Sequence, residues 1–277
     1  MLSKWAYVFD EFTDKIWITD NQCKLLESEI TEVVTQPTEQ EMQGRDGVLV
    51  GPNTFGPFDL SLKFFYNGVD EPDLYAFTEK IKKIVHSKYP RYVVHSDMPG
   101  RKYGFNVAQI EWEKINHADA TFTITFHCYK GYSESLTRTD DKIYRNSTWQ
   151  YENGLKVDKD ISYIHKNWAF EIWNGSTDTI DPVMHHYLKI VINANAPNGL
   201  TIENETTGDV FEYHEPLKYK DELMIQSVHP ILNQNQRVGK NTNYQWITLA
   251  PGYNKIHIYG KKLSKIKTQW IFNFIYR

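Results

Sequence analysis

The stretch Ala120-Thr121-Phe122-Thr123-Ile124-Thr125-Phe126-His127-Cys128-Tyr129 decides the fold class. Successive side chains of an extended chain point to opposite faces, so Phe122, Ile124, Phe126 and Cys128 share one face. Thr121, Thr123, Thr125 and His127 share the other. An apolar row backed by a hydroxyl row, built from β-branched and aromatic residues, predicts a half-buried strand of an antiparallel sheet. Residues 131–147 downstream are polar, charged and without period, and strand-like runs resume after them. The expectation is a first body closed by this strand, a polar connector, and a second body.

Upstream, Phe58-Asp59-Leu60-Ser61-Leu62-Lys63-Phe64 alternates in the same way and predicts a partner strand. Asp70-Glu71-Pro72-Asp73 carries a helix-start signal, with carboxylates near the positive end of the dipole. Leu74, Phe77, Ile81, Ile84 and Val85 then fall on one helical face, with Lys80, Lys82, Lys83 and Lys88 on the outer side or at the far end. This predicts a helix over 73–87 packed on the sheet. Residues 5–9, 15–19 and 30–35 read as short strands, and 36–45 as a polar loop. That loop ends in Gly44-Arg45-Asp46-Gly47, whose glycines suit a tight turn with positive φ. Residues 92–95 and 103–115 read as two strands around a turn at 97–100.

In the second body, strands are expected at 168–173, 186–192, 200–203, 210–213, 222–227, 255–259 and 266–276, with no helix. Asn174-Gly175, Asn198-Gly199, Gly208-Asp209 and Pro251-Gly252 separate them as turns. Short strands at such spacing predict an antiparallel sandwich. The last run sets Ile266, Thr268, Trp270, Phe272, Phe274 and Tyr276 against Lys267, Gln269 and Asn273, the pattern of a central strand. The expected architecture is mainly β: residues 1–132 form a β-barrel or sheet domain with one packed helix, 133–148 a linker, and 149–277 a C-terminal β-sandwich.

Composition agrees. The 277 residues are 40% hydrophobic and 24% charged, which suits globular packing, and 8 Trp, 18 Tyr and 14 Phe favour strands. A net charge of −4 argues against a protein held to nucleic acid by counterion release, and leaves room for a passage through which nucleic acid slides. Lys261, Lys262, Lys265 and Lys267 read as a solvated face. Cys23 and Cys128 have neither a disulfide framework nor a metal-ligand spacing, and Cys128 is in phase with the buried face of its strand. The first residues hold only a short apolar run, and no later segment approaches the ~20 apolar residues that span a bilayer. The expectation is a chain made in a cytoplasm without signal peptide or membrane insertion.

The sequence holds no glycine-rich phosphate loop, nucleophile elbow or helical histidine pair, so neither catalysis nor a cofactor or metal is expected. His185 and His186, adjacent on a strand, face opposite sides and read as satisfied or solvated histidines. The pairs Asp178 with Asp181 and Asp158 with Asp160 read as caps of turns. Glu111 and Glu113 flank Trp112 and share a face that lines a lumen or groove or lies open to solvent. Trp168 is in phase with Phe170 and Ile172 and is expected in the core, whereas Trp149 and Trp246 are candidates for an exposed sugar-stacking platform.

Several of these stretches, in order, resemble the distal tail proteins of tailed bacteriophages. They are Gly44-Arg45-Asp46-Gly47 before an alternating strand, the helix, Tyr103-Gly104-Phe105-Asn106-Val107 leading into the central strand, the turn Leu249-Ala250-Pro251-Gly252-Tyr253-Asn254, and the closing Phe272-Asn273-Phe274-Ile275-Tyr276-Arg277. Gly44, Arg45, Asp46, Gly47, Pro251, Gly252 and Asn254 are the positions that carry the resemblance. It implies a virion structural protein at the distal end of the tail. The N-terminal domain would form a homo-hexameric ring that continues the tail tube, carries the tail-tip (tail-associated) protein below and lets DNA pass without reading its sequence. The C-terminal domain would be a galectin-like sandwich facing outward, where receptor-binding or other adsorption components dock. The tape measure protein is a further candidate partner. The competing reading is a carbohydrate-binding sandwich that recognises a host cell-wall saccharide.

Overall fold

The computed structural model describes residues 4–10, 13–141, 154 and 161–277. The chain divides into two compact units, Met1–Glu134 with Arg277, and Ser135–Tyr276. The architecture is mainly β, of antiparallel strands with one α-helix among the described residues.

In the first unit the Asp119–Cys128 strand lies in a sheet ordered Val107–Lys114, Asp119–Cys128, Phe58–Asn67, Cys23–Ile30. It pairs along its whole length with Phe58–Asn67, from Asp119 opposite Asn67 to Cys128 opposite Phe58. Phe122, Ile124, Phe126 and Cys128 are buried, as the alternation requires. Two covers share that one sheet face. Over one end lies the helix Glu71–Val85, where Tyr66 stacks on Phe77 at 3.7 Å and Phe77 meets Phe122 edge-on at 5.8 Å. Over the other end a second sheet, with strands ordered Ile16–Trp17, Ala6–Phe9, Arg91–His95, Arg101–Phe105, sends Phe105 against Phe126 at 4.8 Å and Tyr103 against Phe58 at 6.3 Å.

The helix starts where its sequence signal lies. Asp70 caps it by accepting the Asp73 N–H, Pro72 sits in the first turn, and Leu74, Phe77, Ile81, Ile84 and Val85 are its buried face.

Three expectations change. The run 103–115 is two strands in different sheets, Arg101–Phe105 and Val107–Lys114, parted at Asn106. Burial falls on Tyr103 and Phe105 before that residue and on Ala108 after it, with Ile110 and Trp112 packed on the core, a phase slip of one residue. The strand expected at 30–35 lies instead at Cys23–Ile30, where a register shift between Leu25 and Glu27 breaks the alternation and hides it from a period count. The expected polar loop at 36–45 is part of a hairpin arm.

Two buried groups of this unit stand out. Glu134 is 4% exposed, and Lys130 donates to it at 2.9 Å while Lys102 lies 3.7 Å away. Burial opposes its ionisation, but the two ammonium groups hold its carboxyl below the usual range. His95 is 1% exposed, stacks on Tyr103, and has no hydrogen-bond partner on either ring nitrogen among the described residues. Burial pushes its pKa down to about 4.

The second unit is a sandwich of two antiparallel sheets. One is ordered Ile164–His165, Ser264–Phe272, Leu188–Asn195, Leu223–Gln226, His229–Leu232, Gln236–Arg237. The other is ordered Ala169–Asn174, Gly252–Tyr259, Leu200–Asn204, Asp209–Tyr213. Trp270, Ile190 and Ile192 of the first, and Ile172, Ile202, Ile256 and Ile258 of the second, are buried. Ser264–Phe272 is flanked on both sides, and Ile275–Tyr276 follows as a separate short strand. The strands at His229–Leu232 and Gln236–Arg237 lie outside the expected set. Trp168 is 38% exposed rather than in the core, because it precedes the first residue of its strand and the period no longer aims it inward.

The start of the stretch expected as a linker is stitched to the end of the last long strand of this unit and the two residues after it. Ser135 N–H donates to Phe274 O at 2.8 Å, Thr139 N–H to Phe272 O at 3.0 Å, and Asn273 Nδ2 to Ser135 O at 2.8 Å. Its polar side chains serve backbone groups that water cannot reach. Residues 142–148 lie outside the described residues.

Candidate assembly surfaces

The buried face of the main sheet of the first unit leaves a second face uncovered by the helix. Along the register, Thr121, Thr123, Thr125 and His127 sit opposite Phe65, Lys63, Ser61 and Asp59 on one side and Glu113, Glu111, Gln109 and Val107 on the other. Glu27 and Glu29 extend it beyond Lys63 and Ser61. Hydroxyls and carboxylates satisfy one another here: Ser61 and Thr125 are 3.2 Å apart, Thr121 Oγ1 donates to Glu113 at 3.3 Å, and His127 Nδ1 lies 2.9 Å from Asp59. Glu27, Glu29, Asp59, Glu111 and Glu113 outnumber Lys24 and Lys63, so the face is acidic. Such a surface repels phosphate and offers it few donors. The Glu111 and Glu113 pair read from the sequence lies on this face, and its edge strand, Val107–Lys114, is the sheet's first.

From the same sheet a two-stranded arm rises between residues 31 and 58. At its root Thr31 N–H donates to Asp59 O at 2.9 Å and Asp59 N–H to Thr31 Oγ1 at 2.8 Å. Thr35–Gln36 pairs with Thr54–Phe55, and Glu39–Glu41 with Val48–Val50. Gly44 and Gly47, both with positive φ, make the tip together with Arg45 and Asp46. Val34, Met42, Val48, Leu49, Val50 and Phe55 are exposed along it, Val50 by 72%. A two-stranded ribbon is marginal in water by itself, and an apolar one with open edges is a template for another chain. Sequence reasoning passed over this arm because an element exposed on both faces needs no alternation. The signal present was the Val48-Leu49-Val50 run placed symmetrically to Glu39-Gln40-Glu41 about the glycine turn.

In the second unit Pro251, Gly252 and Asn254 form a turn fixed by the Asn254 side chain, with Gly252 at φ 96°. Trp246 is half-buried and lines a groove of about 280 Å³, whereas Trp149 lies outside the described residues. His185 and His186 do not lie on a strand. His185 ends the short turn Pro182–Met184 with φ 61°, and His186 is buried with Nδ1 accepting the Asp181 N–H. Asp181 caps the same turn and Asp178 accepts the Thr179 N–H, while Asp158 and Asp160 lie outside the described residues. Among the described residues no three His, Cys, Asp or Glu side chains are grouped to hold a metal ion, and no helix is long and apolar enough to cross a membrane.

Residues 20–128, which span the sheet, the arm and the helix, match the family model of the phage tail protein RIFT-related domain. The fold of the whole chain is similar to that of SPP1 Dit (gp 19.1), described as a paradigm of the hub adsorption apparatus in Gram-positive-infecting phages. The two share 11% identity and a TM-score of 0.68, over 98% of this chain and 99% of that one. A more distant likeness, at 10% identity and a TM-score of 0.47, is to a chain of the phage P2 baseplate in its activated conformation with Ca, over 99% and 98%. No curated protein sequence matches the chain.

Proposed function

We propose that this chain, with a phage tail domain over residues 20–128 and the fold of SPP1 Dit throughout, is the hub subunit of a phage tail tip. Copies of the first unit close into a six-fold ring that joins the tail tube to the tail-tip protein. The second unit offers a surface for receptor-binding or other adsorption components, and the tape measure protein is a further contact. The protein acts as scaffold and conduit rather than as catalyst, at the distal end of the tail of virions assembled in the host cytoplasm.

The observation that carries this reading is the two-faced sheet. One face is closed by helix and second sheet, and the other presents carboxylates and hydroxyls over four neighbouring strands. A ring that turned this face inward would have a wall past which DNA slides without being held. The arm supplies the complementary need, a ribbon with exposed apolar side chains whose open edges are closed by the next copy in the ring.

Native mass spectrometry over a range of concentrations, with electron microscopy of the same sample, tests the proposal. A six-copy species with a central opening supports it. A monomer at every concentration that also fails to assemble with tail-tube and tail-tip proteins overturns it.

A further inference from the structure

The second unit holds a groove of about 280 Å³ that the hub reading leaves without a task, lined among others by His229, Pro230, Arg237, Tyr244, Gln245 and Trp246. The strands His229–Leu232 and Gln236–Arg237 form one wall, and the loop after the turn Gly239–Asn241 the other. That loop is built to stay in place. Thr242 is 5% exposed and donates to Gly239 O at 2.8 Å. Asn243 donates to Val210 O at 2.8 Å and accepts the Glu212 N–H at 3.1 Å. Buried Val238 and Ile247 anchor the loop on either side.

Between these anchors Tyr244 adopts φ 57° and is 69% exposed. The left-handed region is sterically unfavourable for a bulky residue. Nothing in the core gains from the strain, because the ring is in solvent. Tyr244 and Trp246 line the same groove.

The polar groups at the groove are equally unspent. Among the described residues His229, Arg237, Gln245 and the Trp246 indole N–H make no side-chain hydrogen bond or ion pair. The lining contains no Asp or Glu, in a chain whose net charge is −4. Aromatic faces with a few converging polar groups are the make-up of a small-ligand site, and here the polar groups are mainly donors. The hydroxyls of a neutral sugar need acceptors, which carboxylates supply best. An acidic substituent needs donors alone, and a guanidinium meets a carboxylate or phosphate through two parallel bonds.

We infer that this groove binds an anionic saccharide, the sugar ring resting on Trp246 and Tyr244 and its carboxylate or phosphate on Arg237. The inference stands apart from the hub reading and requires neither a ring nor a phage tail.

Saturation-transfer NMR on the full chain, with glucuronate, glucose 6-phosphate and glucose as probes, tests it. The acidic probes should bind roughly tenfold more tightly than glucose, the ratio expected of one charge-assisted pair. Trp246→Ala should abolish transfer. Arg237→Gln, at an exposed position, should leave the thermal unfolding midpoint unchanged and bring the acidic probes down to the level of glucose. Binding of only one acidic probe also supports the site and identifies its acid group. Absence of transfer to every probe, equal binding of glucose, or transfer unchanged in Trp246→Ala overturns the inference. If Trp246→Ala does not fold, Tyr244→Ala replaces it, with the same outcomes. A chain that forms the six-copy ring and binds no probe overturns this inference alone.

Discussion

The Asn204 side chain donates to the side-chain oxygen of Asn254 over 3.1 Å, and both residues are fully buried. Asn254 also accepts the Ala250 N–H at 2.9 Å and donates to Ala250 O at 2.7 Å and Gly252 O at 3.2 Å. Asn204 in turn donates to Thr248 O at 2.8 Å and accepts the Thr206 N–H at 3.1 Å. Two amides thus replace water for two neighbouring turns. This gives a physical reason for the Pro-Gly-x-Asn spacing: Gly252 supplies the positive φ, and the residue two further on folds back to satisfy the turn it ends.

Asn254→Ala should therefore cost the second unit about 3 kcal/mol, because it removes the acceptor of the Ala250 N–H and one of the two acceptors of the Asn204 amide, at ~1–3 kcal/mol each. Urea denaturation followed by Trp fluorescence measures the loss. A change under about 0.5 kcal/mol, the size of a surface substitution, contradicts the account.

The first unit should lose stability on acidification before its carboxylates titrate. His95 is held neutral, with a pKa of about 4 against an ordinary 6.5. Burial is the main cause, and Lys4 adds to it against the pull of Asp97. Between those values the unfolded chain binds the proton and the folded one does not, so stability falls as pH drops through this window, by at most about 3 kcal/mol. His95→Phe should flatten the slope between pH 6.5 and 4 in a series of denaturation curves.

A separate loss belongs to Glu134, whose folded pKa is depressed and whose contribution is present above its unfolded value and lost as pH falls through the folded one. Glu134→Gln keeps the shape but leaves Lys130 facing a neutral partner in a largely buried site. It should destabilise the first unit by about 3–5 kcal/mol, as removal of one partner of a buried pair does, and calorimetry reads the shift.

Leu49→Asp with Val50→Asp on the arm should leave folding within about 0.5 kcal/mol, since both side chains are exposed. The same pair should abolish the multi-copy species in native mass spectrometry. A ring that persists in this variant excludes the arm from the subunit seam.

Replacing two carboxylates of the acidic face, with Glu111→Lys and Glu113→Lys, should raise its affinity for DNA. Retention of a DNA duplex in a gel-shift experiment should appear and fall steeply with salt, in proportion to the phosphates neutralised.

Much of this architecture was legible because its signals are periodic. The central strand and the helix follow two-residue and 3.6-residue repeats that a covered sheet face and a packed helix demand. The Asn106 seam escaped because no glycine or proline marks it, although the shift of apolar residues from Tyr103 and Phe105 to Ala108, Ile110 and Trp112 was there to be counted. The Cys23–Ile30 strand was lost to its irregular register, and the arm to its exposure. The groove was out of reach for a different reason. Of its residues only Trp246 stood out, and strands of four and two residues bring His229 and Arg237 beside it.

The seam at Asn106 makes chain length, more than any side chain, the fragile quantity in the first unit. On one side of it odd-numbered residues face inward, and on the other even-numbered ones do. Deleting Asn106 would join Tyr103, Phe105, Ala108, Ile110 and Trp112 in one unbroken alternation, the pattern of a single strand in a single sheet. The extra residue is what lets the chain leave one sheet and enter the other with both apolar rows still facing the core. The two-sheet core of the first unit thus rests on a spacing that no side-chain substitution can alter.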